Sequence, residues 1–163
     1  YLNAYSAPAM RSKLFRAMFT DANALELNTL AQEYAAQLMS QLNSSLFKQL
    51  KQHQTLGDDV VLVSASIDIY LESVCELLEI DLICTQTETI DHVYTGHYVS
   101  PDCSSEQKRL RILEKYNPDE YASIYAYGNS HEDNEMLALA DYRYMVGRDK
   151  ALPELALAIQ IAI

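Results

Sequence analysis

Ile124-Tyr-Ala-Tyr-Gly-Asn-Ser-His-Glu-Asp133 reads as a strand, a turn and the start of a helix. Ile124 to Tyr127 is a short apolar and aromatic run, the pattern of a buried strand. Gly128 breaks it, Asn129 and Ser130 suit a turn, and Asn134 to Ala140 has helical character. This order puts Asn129 and Asp133 at the carboxyl end of a strand, where ligands bind in open α/β sheets. Two readings fit the pair. Their oxygens can face one hard cation such as magnesium, or they can be ordinary capping residues of a helix N-terminus.

Outward from that turn, the second half of the chain alternates strands and helices. Val60–Val63 is a β-branched run, followed by Ser64-Ala65-Ser66 and a helix over about 68–79 with Ile69, Val74, Leu77 and Leu78 inside. Leu82–Cys84 is a second strand. The polar segment Thr85–Val99, broken at Gly96, suits a hairpin or flap. Ser104 and Gln107 match a capping box that opens a helix with Leu110, Leu113 and Tyr116 as its apolar side. Tyr142–Val146 is the last strand, and Pro153 begins a closing helix. This alternation predicts an α/β fold with a doubly wound, Rossmann-like parallel sheet covered on both faces.

The first half is helical. Pro8 suits the first turn of a helix to about Phe19, and Asp21 is a candidate N-cap for the next. Leu27, Leu30, Tyr34, Leu38 and Leu42 form one apolar stripe. Asn43 or Ser44 caps a third helix that Gly57 closes. Arg11, Lys13 and Arg16 are a small basic cluster, read either as a solvated face or as the border of an anion site.

The net charge of −11 makes nucleic acid or an anionic membrane an unfavourable partner. It also requires a local cation, from a metal or a placed lysine, for any phosphate. Cys75, Cys84 and Cys103 form no Cys-x-x-Cys pair, which argues against a disulfide framework or zinc site and fits a reducing, cytoplasmic setting. No apolar run has membrane length, so no stable membrane insertion is expected. His53, His92, His97 and His131 share no ligand spacing and read as surface residues, with His131 inside the candidate metal turn.

Three polar features then fall on successive strand ends. Ser64 and the N–H groups after it can hold an anion at a helix N-terminus, or Ser64 is a simple N-cap. Lys108 stands in the first turn of its helix, where the dipole disfavours a cation unless it reaches an anion or carboxylate; otherwise it snorkels to water. Asn129 and Asp133 complete the set. A hydroxyl, a lysine and an acidic turn are parts needed for phosphoryl transfer.

Val60-Val-Leu-Val-Ser-Ala-Ser66, Cys103-Ser-Ser-Glu-Gln-Lys108 and Tyr127-Gly-Asn-Ser-His-Glu-Asp-Asn-Glu-Met-Leu137, in this order, resemble the haloacid dehalogenase superfamily, and within it the phosphoserine-phosphatase-like branch, subclass IB. The resemblance implies a small helical cap over about 1–43 and an α/β core over 44–163. It implies Ser64, Ala65 and Lys108 as phosphate-binding residues, Ser64, Lys108 and Asp133 as catalytic ones, and Asn129 and Asp133 as holders of Mg2+. The implied activity is magnesium-dependent hydrolysis of a small phosphomonoester through an aspartyl-phosphate, in a full-length parent. The alternative is a non-catalytic relative that binds a phosphorylated ligand or a protein partner.

Two departures from the family pattern stand out. Asn129 occupies the first acidic position of the metal turn and brings no charge. No Asp-x-Asp motif precedes Val60; Asp58-Asp59 is adjacent and suits a turn. The family's strand bearing that motif lies between those equivalent to Val60–Val63 and Ile124–Tyr127. The expectation is therefore a chain truncated at its N-terminus, with a gap between these two strands.

Overall fold

A computed structural model describes residues 5–155. Three helices open the chain: α1 (Ala7–Phe19), α2 (Ala24–Met39) and α3 (Ser44–Leu56). Then come β1 (Val61–Ile67), α4 (Asp68–Leu78), β2 (Asp81–Thr85), the hairpin β3 (Thr87–Ile90) and β4 (Val93–Tyr98), and α5 (Glu106–Lys115). The last elements are β5 (Tyr125–Gly128), the one-turn α6 (Asn134–Leu137) and β6 (Tyr142–Met145). The closing helix expected from Pro153 does not start within 153–155, and its remaining span, 156–163, lies outside the described residues.

The helix ends follow local chemistry. The Ser6 hydroxyl accepts from the Ala9 N–H, with Pro8 in the first turn of α1. Asn43 caps α3 through the N–H groups of Ser45 and Leu46, and Gly57 closes it in the left-handed region at φ 81°. Asn23, not Asp21, caps α2, because Asp21 and Ala22 are tied to Tyr94 and the helix starts only at Ala24. Asp21 N–H donates to Tyr94 O, Tyr94 N–H to Ala22 O and Ala24 N–H to His92 O, so this linker is bridged to the start of β4.

The sheet has the parallel pairs expected and is split. β1 pairs with β2 and β5 with β6, both in parallel, while β3 and β4 form a separate antiparallel flap. Among the described residues β1 and β5 do not pair with each other. A cavity of about 350 Å³ lies between them, lined among others by Leu50, Val61, Val63, Ile112, Tyr125 and Tyr127. Every residue of β1 is only half-buried, although a central strand is expected to be fully covered, and Val61, Leu62 and Val63 line this slot.

Other expectations shift by about a residue. On α2 the fully buried residues are Ala31 and Ala35; of the expected stripe Leu38 and Leu42 pack against the core, while Leu30 and Tyr34 are exposed. Small residues face α4 because the two helices approach closely there, with Ala35 packed in one cluster with Val74 and Leu78. On α4 the buried set is Leu71, Ser73, Val74, Cys75 and Leu78, which keeps the expected Val74 and Leu78, and Leu77 is exposed. The flap turns at Asp91–His92, both in the left-handed region, not at Gly96. Gly96 is instead a contact point: a Cβ there would lie 2.1 Å from Thr20 Oγ1 at the end of α1. Phe15 and Phe19 of α1 pack on Tyr94 and Tyr98 of β4, which seats the first helix on the flap.

Candidate functional site

Lys108 and Asp133 meet where the loop after the flap and the turn after β5 converge. Lys108 is 6 % exposed and Asp133 3 %. The Lys108 ammonium donates to Asp133 Oδ1 and, at 3.4 Å, to the carbonyl of Val63 near the end of β1. The snorkelling alternative is thereby set aside: the lysine points inward to a carboxylate, as its unfavourable place in the first turn of α5 required.

Asp133 is held from both sides. Its Oδ2 accepts the N–H groups of Asn129 at 2.9 Å and Ser130 at 3.0 Å, and the Ser130 hydroxyl at 3.3 Å. The Ser130 hydroxyl in turn accepts from Glu132 N–H. The capping reading of this turn is thus realised. Burial pushes the Asp133 pKa up, but the Lys108 hydrogen bond and the backbone donors outweigh it and hold the carboxyl below its ordinary value. Gly128 is required here: a Cβ would sit 2.8 Å from the Asp133 Cβ and 3.2 Å from Oδ2.

Ser64 is placed differently from expectation. β1 continues to Ile67, which is the N-cap of α4, so Ser64 is neither a helix cap nor at a helix N-terminus. The β1–β2 register slips between Ser64 and Ile67, leaving Ala65 and Ser66 in a bulge, and the Ser64 hydroxyl accepts the Ser66 N–H at 3.1 Å. Thr85, fully buried, fixes this bulge. Its hydroxyl donates to Ala65 O at 2.8 Å and accepts from Cys103 N–H at 2.9 Å. Ser64 follows Val63 directly, so the bulge, Lys108 and Asp133 occupy one end of the parallel strands.

The expected Ser104–Gln107 capping box does not form. Ser104 donates its hydroxyl to Asp102 Oδ1 at 2.6 Å, and Ser105, at φ 48° and ψ −122°, precedes the helix. Backbone in that region suits glycine better than serine. Nor do Leu110 and Leu113 form a buried side; both are partly exposed, and Lys108 is the buried residue of α5.

Of the basic cluster, Lys13 and Arg16 are exposed, as a solvated face requires, whereas Arg11 is half-buried and bound by carboxylates. Its guanidinium forks between two carboxylates, Asp102 Oδ2 at 2.8 Å and both oxygens of Glu132 at 3.1 and 3.2 Å. Lys13 lies over the Tyr5 ring at 3.5 Å. His53 is not a surface residue. It is buried, with Nδ1 2.7 Å from Asp58 Oδ2 and Nε2 2.8 Å from the Tyr127 hydroxyl, which also accepts from Gln49 Nε2 at 3.1 Å. Little spacing signal marks these networks: Arg11 meets residues 91 and 121 positions away, and of the His53 partners only Asp58 is near in sequence, with Tyr127 74 positions off. The three cysteines are free and buried; burial raises their pKa values, that of Cys84 to about 12, so they are inert thiols.

The described residues do not by themselves fit magnesium. Asn129 offers a neutral amide, and the single carboxylate, Asp133, is already neutralised by Lys108 and engaged by three further donors. A hard dication selects several oxygens with net negative charge. Among the described residues no cluster of three or more His, Cys, Asp or Glu could hold a metal ion.

Residues 1–138 match the family model of haloacid dehalogenase-like hydrolases. The chain belongs to that family. It is 29% identical over 135 residues to a histidinol-phosphatase of Neisseria meningitidis serogroup C (strain 8013), covering 78% of this chain and 61% of the relative. The chain thus spans about three fifths of that curated relative's length. Its fold is similar to a protein of unknown function from Bordetella pertussis Tohama I, with a TM-score of 0.77 at 19% identity, covering 86% of this chain and 66% of the other. It is also similar to a HAD family hydrolase from Salmonella enterica serovar Typhi, with a TM-score of 0.65 at 18% identity over 83% and 46% of the two chains. A probable phosphoserine phosphatase from Vibrio cholerae has a TM-score of 0.59 at 19% identity over 85% and 40%. These likenesses establish the HAD-like α/β fold. Among the described residues no helix is long and apolar enough to cross a membrane.

Proposed function

We propose that this chain carries the phosphate-handling side of a phosphomonoester hydrolase that acts on a small phosphorylated substrate. The observation that carries the reading is the buried Lys108–Asp133 pair at the end of the parallel strands, beside the Ser64–Ser66 bulge. A lysine kept from water and aimed at a strand end is the local cation that a phosphate needs in a chain of net charge −11. In this reading Lys108, the Ser64 hydroxyl and the Ala65 N–H grip the phosphoryl group. Asp133 holds Lys108 in place.

Cleaving the phosphoester requires a nucleophile on phosphorus, and the sequence contains no Asp-x-Asp to supply one. We assign that role to a segment of a longer parent, seated between β1 and β5. Magnesium dependence and the part of Asn129 belong to the same proposal, because the charge a dication needs would come with that segment. The fully engaged Asp133 and the neutral Asn129 favour the second reading, a relative that binds phosphate without turning it over. The test is hydrolysis of p-nitrophenyl phosphate with magnesium. This chain is expected to show no turnover, and the parent extended at its N-terminus a rate about a thousandfold or more higher, lost in Lys108→Met. Turnover by this chain, abolished by Asp133→Asn, defeats the nucleophile assignment. An inactive parent that still binds inorganic phosphate selects the second reading.

A further inference from the structure

The feature that the proposed phosphate chemistry does not use is the carboxylate–guanidinium–carboxylate bridge at Arg11. Asp102 stands six residues before Lys108, and Glu132 is the immediate neighbour of Asp133. Between Asp102 and Lys108 the chain has little freedom. Cys103 is fully buried and its N–H is bound to Thr85, Ser104 is bound to Asp102, and Ser105 N–H donates to Glu132 O at 3.0 Å. A displacement of Asp102 is therefore passed on to Lys108, and one of Glu132 to Asp133.

We propose that Arg11 is a positioning residue for the Lys108–Asp133 pair: one guanidinium from helix α1 clamps the loop carrying Lys108 against the turn carrying Asp133. The clamp is electrostatic as well as geometric. Asp102 and Glu132, with side chains 4 % and 16 % exposed, both lie against the same cation. Without it two poorly solvated carboxylates face each other across the junction and drive the loops apart. Lysine cannot replace it fully, because an ammonium lacks the planar fork that spans both partners. The clamp also makes the helix that packs on the flap report directly to the strand end.

The inference rests on the phosphate reading for its functional half, so the test has two readouts. The first is amide hydrogen exchange at Asn129 and Ser130, whose N–H groups bind Asp133 Oδ2. The second is the affinity for inorganic phosphate. In Arg11→Ala, exchange at both amides is expected to speed up by about tenfold, with Val74 and Leu78 in the α4 core unchanged. Phosphate affinity is expected to fall about fivefold or more. Arg11→Lys should be intermediate, and methylguanidinium added to Arg11→Ala should restore both readouts. Unchanged exchange at Asn129 and Ser130, or acceleration shared equally by Val74 and Leu78, overturns the clamp. A wild-type chain that binds no phosphate overturns the phosphate reading, and the exchange pattern then decides the clamp alone.

Discussion

The end of the strands and the middle of the sheet are built on opposite plans. At the strand end, Lys108, Asp133, Ser104, Thr85, Asp102, Glu132 and Arg11 each meet a partner, and the segment is closed tightly enough that Gly128 tolerates no Cβ. In the middle, β1 and β5 hold a slot open between apolar side chains that remain half-exposed. The slot's lining reaches Val63 and Tyr127, each one residue short of Ser64 and Gly128. The contrast teaches that the polar geometry does not depend on the apolar centre being filled. The crossed bonds between loops can set Lys108 against Asp133 while, among the described residues, half the peptide groups of β1 point away from β2, its one paired neighbour.

The largest expected effect breaks the contrast from the apolar side. Extending the chain with the parent's N-terminal segment should fill the slot and raise stability by about 5 kcal/mol or more, a shift of roughly 10–20 °C in the melting midpoint. Paired thermal melts measure it. Equal midpoints for two cooperative monomers would mean that the slot is not a seat for a strand.

A smaller effect sharpens the contrast from the polar side. Lys108→Met leaves the Asp133 carboxylate buried without its cation, although its N–H donors remain, and should cost about 3 kcal/mol in denaturant unfolding near neutral pH. The acid limb carries the sign. Asp133 has a folded-state pKa below its unfolded one, so its contribution is complete above the ordinary carboxylate range, near 3.9, and is lost as pH falls through the lower folded value. In Lys108→Met that acid loss should shrink. A variant as stable as the parent chain at neutral pH, with the same acid limb, would remove the pair from the account.

Much of this was legible in the sequence where a local rule had no competitor. Gly57 closes α3 and Asn43 caps it because nothing else bids for those groups. The parallel pairs and the separation of β1 from β5 followed from strand order and the absent motif. Reading failed where a distant partner overrode a local preference. Ser104 would cap a helix were its hydroxyl not bound to Asp102, Asp21 yields to Asn23 because the linker is bridged to β4, and His53 is drawn inside by Asp58 and Tyr127. At the site, Lys108 and Asp133 could be found from motif spacing, but Thr85 and Arg11 act through contacts that no periodicity encodes.

The smallest effect concerns the junction itself. Ser105 holds a backbone conformation natural to glycine while its N–H ties the two loops together. Ser105→Gly should relieve that strain and stabilise the chain by about 1 kcal/mol, seen as a modest rise in the denaturant midpoint with no change in slope. A destabilised variant would show that the hydroxyl or chain stiffness matters more than strain.

The tyrosines of the last two strands give the molecule an optical signature. The chain has 12 tyrosines and no tryptophan, so its near-ultraviolet spectrum is a tyrosine spectrum. Tyr125 and Tyr142 stack across the β5–β6 ladder with ring centres 4.6 Å apart and planes 12° from parallel, and Tyr127 and Tyr144 pair at 6.3 Å. Rings this close couple their transitions and give circular dichroism that vanishes when the two strands part. Tyr125 and Tyr127 also line the slot, so whatever enters beside β5 perturbs the same chromophores, and the protein carries its own gauge of occupancy without a dye or label.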